Sequence, residues 1–436
     1  MGDLRRAELP RVLIVAEHAS AVFGGEAVLP MHYFRQLRRR GVEAWLFVHE
    51  RTREELLALL PGEKDRMFFV PDTLVHKVLS WIANRLPGRL ASFVLGFALQ
   101  LFTQIQQRLR LRDLLSSLRP TVIHQPIPVS PTLPSALFGL GVPVIIGPMN
   151  GGMDYPEGFA YLRSAGDGWL LKLTRGLGHL INRIIPGKLR AATLLVANER
   201  TRRALPPGVC GRVLEVVENA VDLEVWRSPE GPAQSALPGE GDPIQFVFVG
   251  RMIRLKCVDV LLDAFPEVAR RTRARLLLIG DGPERPALEA RAEALKLREL
   301  VTFTGWLRQT ECARRVQAAQ VLILPSVHEC GGAVVLEAMA LGLPVIAAAW
   351  GGPADYVDAS TGILVGPTSR EGLLEGLKDA MLRLAGDRAL RGRLGGAGRL
   401  KVQASFNWNT KISEMLEIYK RTAAGSSRAP ASTKPK

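Results

Sequence analysis

The chain has 436 residues, 47% of them hydrophobic, and a formal net charge of +15 at pH 7. That length is enough for two or three domains with sizeable cores, and the charge selects anionic partners such as nucleotide diphosphates, nucleic acid or acidic lipid head groups. Cys210, Cys257, Cys312 and Cys330 show no C-x-x-C spacing, so neither a zinc-ribbon site nor a disulfide framework is indicated. The first ten residues lack a signal-peptide core and run straight into a strand, so a protein kept in the reducing cytosol is expected.

Val12-Leu13-Ile14-Val15 reads as a buried first strand, followed by a loop ending in Phe23-Gly24-Gly25-Glu26 and a helix to about Arg40, with Gly41 as its stop. Ligands of open α/β sheets bind beyond the carboxyl ends of strands, which places this glycine loop on the ligand side unless it is an ordinary tight turn. The G-x-G-x-x-G dinucleotide fingerprint is absent, which argues against a nicotinamide dehydrogenase. Glu43 to Val48 gives a second strand.

The stretch 73–118 is rich in Leu and Phe, and Leu90 to Gln107 carries no charge. A spanning helix needs about 20 mainly apolar residues. Gln100, Gln104, Gln106, Gln107, Gly96 and Pro87 interrupt this run, which reads as helices that pack on the domain or lie in a membrane interface. A second segment, 168–190, carries Leu170, Leu173, Leu177, Leu180, Ile181 and Ile184 on one helical face and Lys172, Arg175, His179 and Arg183 on the other. This is the pattern of a basic helix adsorbing to an anionic bilayer, and equally of a surface helix facing its own core.

Between the two segments, Thr121-Val122-Ile123-His124-Gln125-Pro126 reads as a strand ending in a histidine, then a helix-forming run, then a strand from Val142 to Ile146. Gly147 to Asp154 is a glycine-rich loop that either shapes an acceptor site or merely connects. Strands at Thr193 to Ala197 and Arg212 to Val217 close the first half, and residues 227–243 are a Pro/Gly-rich linker.

The second half repeats the β/α alternation: Ile244 to Val249, then Gly250-Arg251-Met252-Ile253-Arg254-Leu255-Lys256, a helix, and Leu276 to Ile279 with Gly280-Asp281-Gly282-Pro283. Val321 to Leu324 leads into Pro-Ser-Val-His-Glu-Cys-Gly-Gly-Ala-Val-Val-Leu-Glu-Ala-Met-Ala-Leu-Gly, residues 325–342, and the next strand follows from Leu343 to Ala348. Gly331-Gly332 leaves the first amides of a helix open to an anion. Glu329 and Glu337, eight residues apart, flank the turn. Carboxylates beside an anion site suit a ligand carrying both phosphate and hydroxyls.

Glu-Cys-Gly-Gly-Ala-Val-Val-Leu-Glu resembles the E-x7-E signature of the retaining nucleotide-sugar glycosyltransferases of family four, which have the GT-B fold. Val-Gly-Arg ahead of Lys256, Phe303-Thr304-Gly305-Trp306, Trp350-Gly351-Gly352-Pro353 and the C-terminal run Phe406 to Ala423 are similar to further segments of that family. The resemblance implies an α/β architecture of two Rossmann-like, doubly wound domains facing across a cleft. An acceptor domain (1–226) would be followed by a donor domain (227–405), a helix crossing back to the first domain (406–423) and a basic tail (424–436).

It also implies roles for single residues. Arg251, Lys256, Gly331 and Gly332 would hold the donor diphosphate, with Gly24 and Gly25 beside it; Glu329 would hold sugar hydroxyls and Glu337 the ribose. His124, unless it is a structural residue, would reach the transferred sugar. No D-x-D pair occurs, so no cofactor or metal is expected and the leaving diphosphate would be stabilised by cations and amides alone. Two departures stand out: Cys257 where the family usually has Gly, and Glu329-Cys330-Gly331-Gly332 where E-G-F-G is common. The expected partners are a nucleotide sugar, a glycan or lipid-linked acceptor, and an anionic inner membrane face. Nucleic acid is not expected, because the basic residues form no aromatic-interleaved stripe.

Overall fold

The computed structural model describes residues 9–22, 25–85, 89–163, 178, 180–209, 211–227 and 243–426. They divide into two units. Residues 1–152, 171–218 and 412–436 make up the first, and residues 153–170 and 219–411 the second. The linear boundary expected near residue 226 therefore differs from the folded one: residues 153–163 group with the second unit, where Trp350 Nε1 donates to Asp154 O at 2.8 Å and the Tyr155 and His328 rings lie 4.8 Å apart.

The first unit is built on a seven-stranded parallel sheet, in the order β3-β2-β1-β4-β5-β6-β7. Its strands are β1 (Val12–Val15), β2 (Ala44–His49), β3 (Met67–Val70), β4 (Val122–Gln125), β5 (Val144–Met149), β6 (Thr193–Val196) and β7 (Arg212–Glu215). The inner strands are short apolar runs buried on both faces, as a sheet covered by helices requires, whereas the edge strand β7 is exposed at both ends and half-buried between. The strand order reverses between β1 and β4, which pair in register Val12↔Val122 to Ile14↔His124. Gly41, at φ 72°, ends the helix Leu29–Arg39 in the left-handed conformation that glycine adopts without strain.

The expected helices in 73–118 are present as Leu74–Arg85 and Arg89–Leu118. Among the described residues, no helix is long and apolar enough to cross a membrane. Most of the amphipathic pattern expected in 168–190 lies outside the described residues; within the remainder, Leu180 and Ile184 are exposed. The helix-forming run expected between β4 and β5 is not a helix. Pro126, Pro128, Pro131 and Pro134 remove amide donors and disfavour helical geometry at the residues before them.

The second unit has a six-stranded parallel sheet, in the order β10-β9-β8-β11-β12-β13. Its strands are β8 (Gln245–Val249), β9 (Arg275–Ile279), β10 (Val301–Gly305), β11 (Val321–Leu324), β12 (Val345–Ala348) and β13 (Gly362–Val365). The order reverses between β8 and β11, which pair at Val321↔Phe246 and Leu322↔Val247. Ligands of doubly wound sheets sit outside the carboxyl ends of strands at such a reversal.

The terminal helix Trp408–Ser426 joins the first unit from Ile412 onward. There Tyr419 Oη lies 2.8 Å from His124 Nδ1, and the Thr422 and Thr193 hydroxyls share a 3.0 Å hydrogen bond. Tyr419→Phe would remove this hydrogen bond to the buried His124 Nδ1, at a cost of about 1–3 kcal/mol. A lower urea midpoint for the first-domain transition is the expected result; an unchanged midpoint would show that the bond contributes nothing.

Candidate functional site

In the second unit the expected donor-site residues lie after β8 and after β11, and the loop after β12 packs against them. After β8 the chain makes a short 3-10 turn, Arg254–Lys256, and then enters the helix Val258–Arg271 through Cys257. Cys257 sits at φ 48°, ψ 37°, a left-handed conformation that an L side chain adopts at a cost of about 1–2 kcal/mol. The departure from the family's glycine is therefore a strained position whose strain the buried thiol must offset by packing. Burial also pushes that thiol up to about 12, so it remains protonated.

After β11, residues 325–332 lead to the helix Ala333–Ala340. Gly332 (φ 67°) forms its N-cap with no side chain over the first amides, which leaves the helix N-terminus open to an anion. The loops are joined through backbone. Val327 N donates to Leu255 O at 3.0 Å, and Gly352 N donates to Glu329 O at 2.8 Å. A Cβ at Gly351 would fall 2.3 Å from the Glu329 carbonyl oxygen, and one at Gly352 would fall 2.3 Å from that of Gly331. These glycines let the third loop press against the second.

Across the first two loops, Lys256 Nζ donates to Glu329 Oε2 in a close ion pair that is only 15% and 17% exposed. Sequence reasoning assigned these two residues to different parts of a ligand and missed their contact; 73 residues separate them and no local pattern links them. Arg251 is exposed, and its guanidinium makes no hydrogen bond or ion pair with a described residue. Glu337, in the helix Ala333–Ala340, is half-buried and likewise has no cation among the described residues, and desolvation pushes its carboxyl up to about 8. Arg251, Lys256, Glu329, Gly331 and Gly332 lie on the loops at one strand reversal, with Glu337 in the helix that follows the second of them. The arrangement offers a cation that pairs with no described residue, a cation held by a carboxylate, open helix amides and a carboxyl group able to share a hydrogen bond with a hydroxyl.

The first-unit expectations fare differently. Gly24 lies outside the described residues. Gly25 occupies an exposed turn where an added Cβ would meet nothing within 4 Å, so no steric demand for glycine exists there. His124 does not present itself to a sugar: it is 0% exposed, within β4, and both ring nitrogens are engaged. Nε2 donates to Gly147 O at 2.7 Å and Nδ1 accepts from Tyr419 Oη at 2.8 Å, while the Tyr33 ring packs edge-on with centroids 4.7 Å apart. In this structure the His124 ring serves the packing of the first unit. A strand residue between two covered faces has no route to solvent.

Residues 243–387 match the family model described as Glycosyl transferases group 1. Among curated relatives, the chain is 37% identical over 182 residues to the 2-deoxystreptamine glucosyltransferase of Streptomyces kanamyceticus, covering 39% of this chain and 46% of the relative. It is also 37% identical over 222 residues to a D-inositol 3-phosphate glycosyltransferase of Frankia alni, covering 48% and 53%. The chain thus spans about half the length of these relatives. Among solved structures it superposes on sucrose-phosphate synthase of Thermosynechococcus elongatus with a TM-score of 0.64 at 21% identity, covering 95% of this chain and 100% of that one. A glycosyltransferase of Rickettsia africae gives 0.65 at 16% identity, covering 95% and 98%.

Two outcomes follow. Because the Glu337 carboxyl is raised from 4.5 to about 8, its contribution to stability is full below pH 4.5 and is lost as pH rises through 8. Glu337→Gln should therefore flatten the fall of Tm over that window; an unaltered Tm-versus-pH curve would contradict the shift. Both Cys257→Gly and Cys257→Ala delete the thiol, but only glycine relieves the left-handed backbone, so the glycine variant should be more stable by about 1 kcal/mol in denaturant titration.

Proposed function

We propose that this chain, a GT-B protein whose second domain belongs to the group 1 glycosyl transferases, transfers a sugar from a nucleoside-diphosphate sugar to a glycan or lipid-linked acceptor with retention of configuration. The observation that carries the reading is the Lys256–Glu329 pair beside an uncapped helix N-terminus and an Arg251 that pairs with no described residue. An incoming diphosphate would take Lys256 from Glu329, adding Arg251 and the amides after Gly332 as further partners. Glu329, released from its cation, would accept hydrogen bonds from sugar hydroxyls, and Glu337 from the ribose.

As the glycosidic bond breaks, negative charge grows on the leaving diphosphate, and these cations and amides stabilise that charge without a metal. No side chain of the second domain is placed as a nucleophile in this scheme. The leaving diphosphate would take the proton of an acceptor hydroxyl attacking from the same face. Calorimetric titration with UDP, GDP, ADP and CMP should show binding of one nucleotide, weakened at least tenfold in Lys256→Ala and Glu337→Ala. Binding by none of them, or binding insensitive to both changes, would count against the reading.

The acceptor side rests on the first domain. Leu74, Val75, Val78 and Trp81 are exposed along one face of the helix Leu74–Arg85, and the Arg85 guanidinium lies 4.0 Å from the Trp81 ring centroid. An apolar face edged by cations fits the surface of an anionic bilayer in which a lipid-linked acceptor would be held. The names of the relatives support a second reading, a small-molecule acceptor, since 2-deoxystreptamine and D-inositol 3-phosphate are both small polyols. Flotation separates the two: co-migration with anionic vesicles that Val78→Glu and Trp81→Glu abolish supports the lipid-linked acceptor. Recovery of the unaltered protein entirely in the soluble fraction supports the small molecule.

A further inference from the structure

We propose that His49, Asp72 and His76 form a site for one divalent transition-metal ion of the zinc class, which ties the first turn of the helix Leu74–Arg85 to the carboxyl end of β2. The three residues come from the end of β2, the loop after β3 and that first turn, and one ligand atom from each lies within 4.8 Å of the others. Asp72 Oδ1 is 3.9 Å from His49 Nε2 and 3.9 Å from His76 Nδ1, and the imidazole centroids are 4.4 Å apart. Tetrahedral zinc with bonds of about 2.1 Å places its donors roughly 3.4 Å apart, which small side-chain rotations can reach.

A second observation points to a missing ligand. His49 is only 3% exposed, yet its Nε2 has no hydrogen-bond partner among the described residues, an unusual state for a buried polar atom. His76 has its outer partner in place. Thr103 Oγ1 donates to Leu99 O at 2.9 Å, so it accepts from His76 Nε2, 3.2 Å away, and the Nδ1 lone pair turns toward Asp72. This is the arrangement that orients a ligating imidazole. Thr73 N and Oγ1 now reach that lone pair at 3.2 and 2.9 Å and would give way to the ion.

Glu17, Glu50 and Asp72 lie around the site with Arg51 and Arg53; Arg51 pairs with Glu17 and Arg53 with Glu50, and among the described residues Asp72 has no Arg or Lys partner. Burial lowers the pKa of both imidazoles, His49 to about 4, and keeps them in the neutral form that binds metal. His49 Nδ1 accepts from Arg51 N at 3.2 Å, so the free ring carries its proton on Nε2. On coordination that proton is released and Nδ1 takes one up, with no net change and at the expense of the long Arg51 bond. Asp72 is 42% exposed, which gives the ion an entry side and leaves its remaining position to water.

The site stands apart from the transfer reaction proposed above and is tested without it. Full-length protein stripped with a chelator is titrated with cobalt(II), and its Tm is measured with and without zinc(II). The expected result is uptake of one equivalent with visible bands of tetrahedral intensity and a higher Tm with zinc. Asp72→Asn, at an exposed position, and His76→Gln should each weaken uptake at least tenfold and remove the Tm shift. No stoichiometric uptake, uptake unaffected by Asp72→Asn, or a thiolate charge-transfer band assigning the ion to cysteine would overturn the proposal.

Discussion

The second domain's site depends on one ion pair, Lys256 with Glu329. Its two residues hang from loops that leave adjacent parallel strands, β8 and β11, at the place where the strand order reverses. Each charge is mostly withdrawn from water, so neither is tolerable alone. On the function proposed above, the pair sets a condition on the ligand: it must supply an anion to Lys256 and hydroxyls to Glu329 together. A free phosphate satisfies half of that condition. A sugar diphosphate satisfies all of it.

The scaffold around the pair is fixed by backbone rather than by side chains. The Val327–Leu255 and Gly352–Glu329 hydrogen bonds lock three loops together, and Gly351 and Gly352 are glycines because carbonyl oxygens occupy the space a Cβ would need. Cys257 is the exception, a buried L residue in a left-handed turn where strain was accepted. The rigidity has a functional consequence. With the loops fixed, only the Lys256 and Glu329 side chains need to move when a ligand arrives.

Much of this was legible in the sequence, for definite reasons. Parallel strands buried on both faces read as short apolar runs, so β1, β8, β9, β11 and β12 stood out, and their alternation with helices gave the doubly wound architecture. The half-buried β3, β10 and β13 carried weaker patterns and were not anticipated. Glu329 and Glu337 were visible because they flank one strand-to-helix turn. The contact between Lys256 and Glu329 was not, because tertiary folding alone brings them together. The surroundings of His124 were hidden for a related reason: a histidine closing a strand looks the same in sequence whether its ring faces a ligand or, as here, lies between Gly147 O and Tyr419 Oη. That tyrosine lies 295 residues away in the terminal helix. The run between β4 and β5 was misjudged by weighing apolar content above its four prolines.

The most direct test of the account is the nucleoside diphosphate affinity of Glu329→Gln beside that of the unaltered protein, together with transfer by both from the matching nucleotide sugar. If Glu329 is the group that a diphosphate displaces from Lys256, the variant, lacking the competing charge, binds the bare diphosphate more tightly but transfers sugar poorly. Weaker diphosphate binding with transfer unimpaired would contradict the account, because Glu329 would then be neither the competitor for the lysine nor a holder of the sugar.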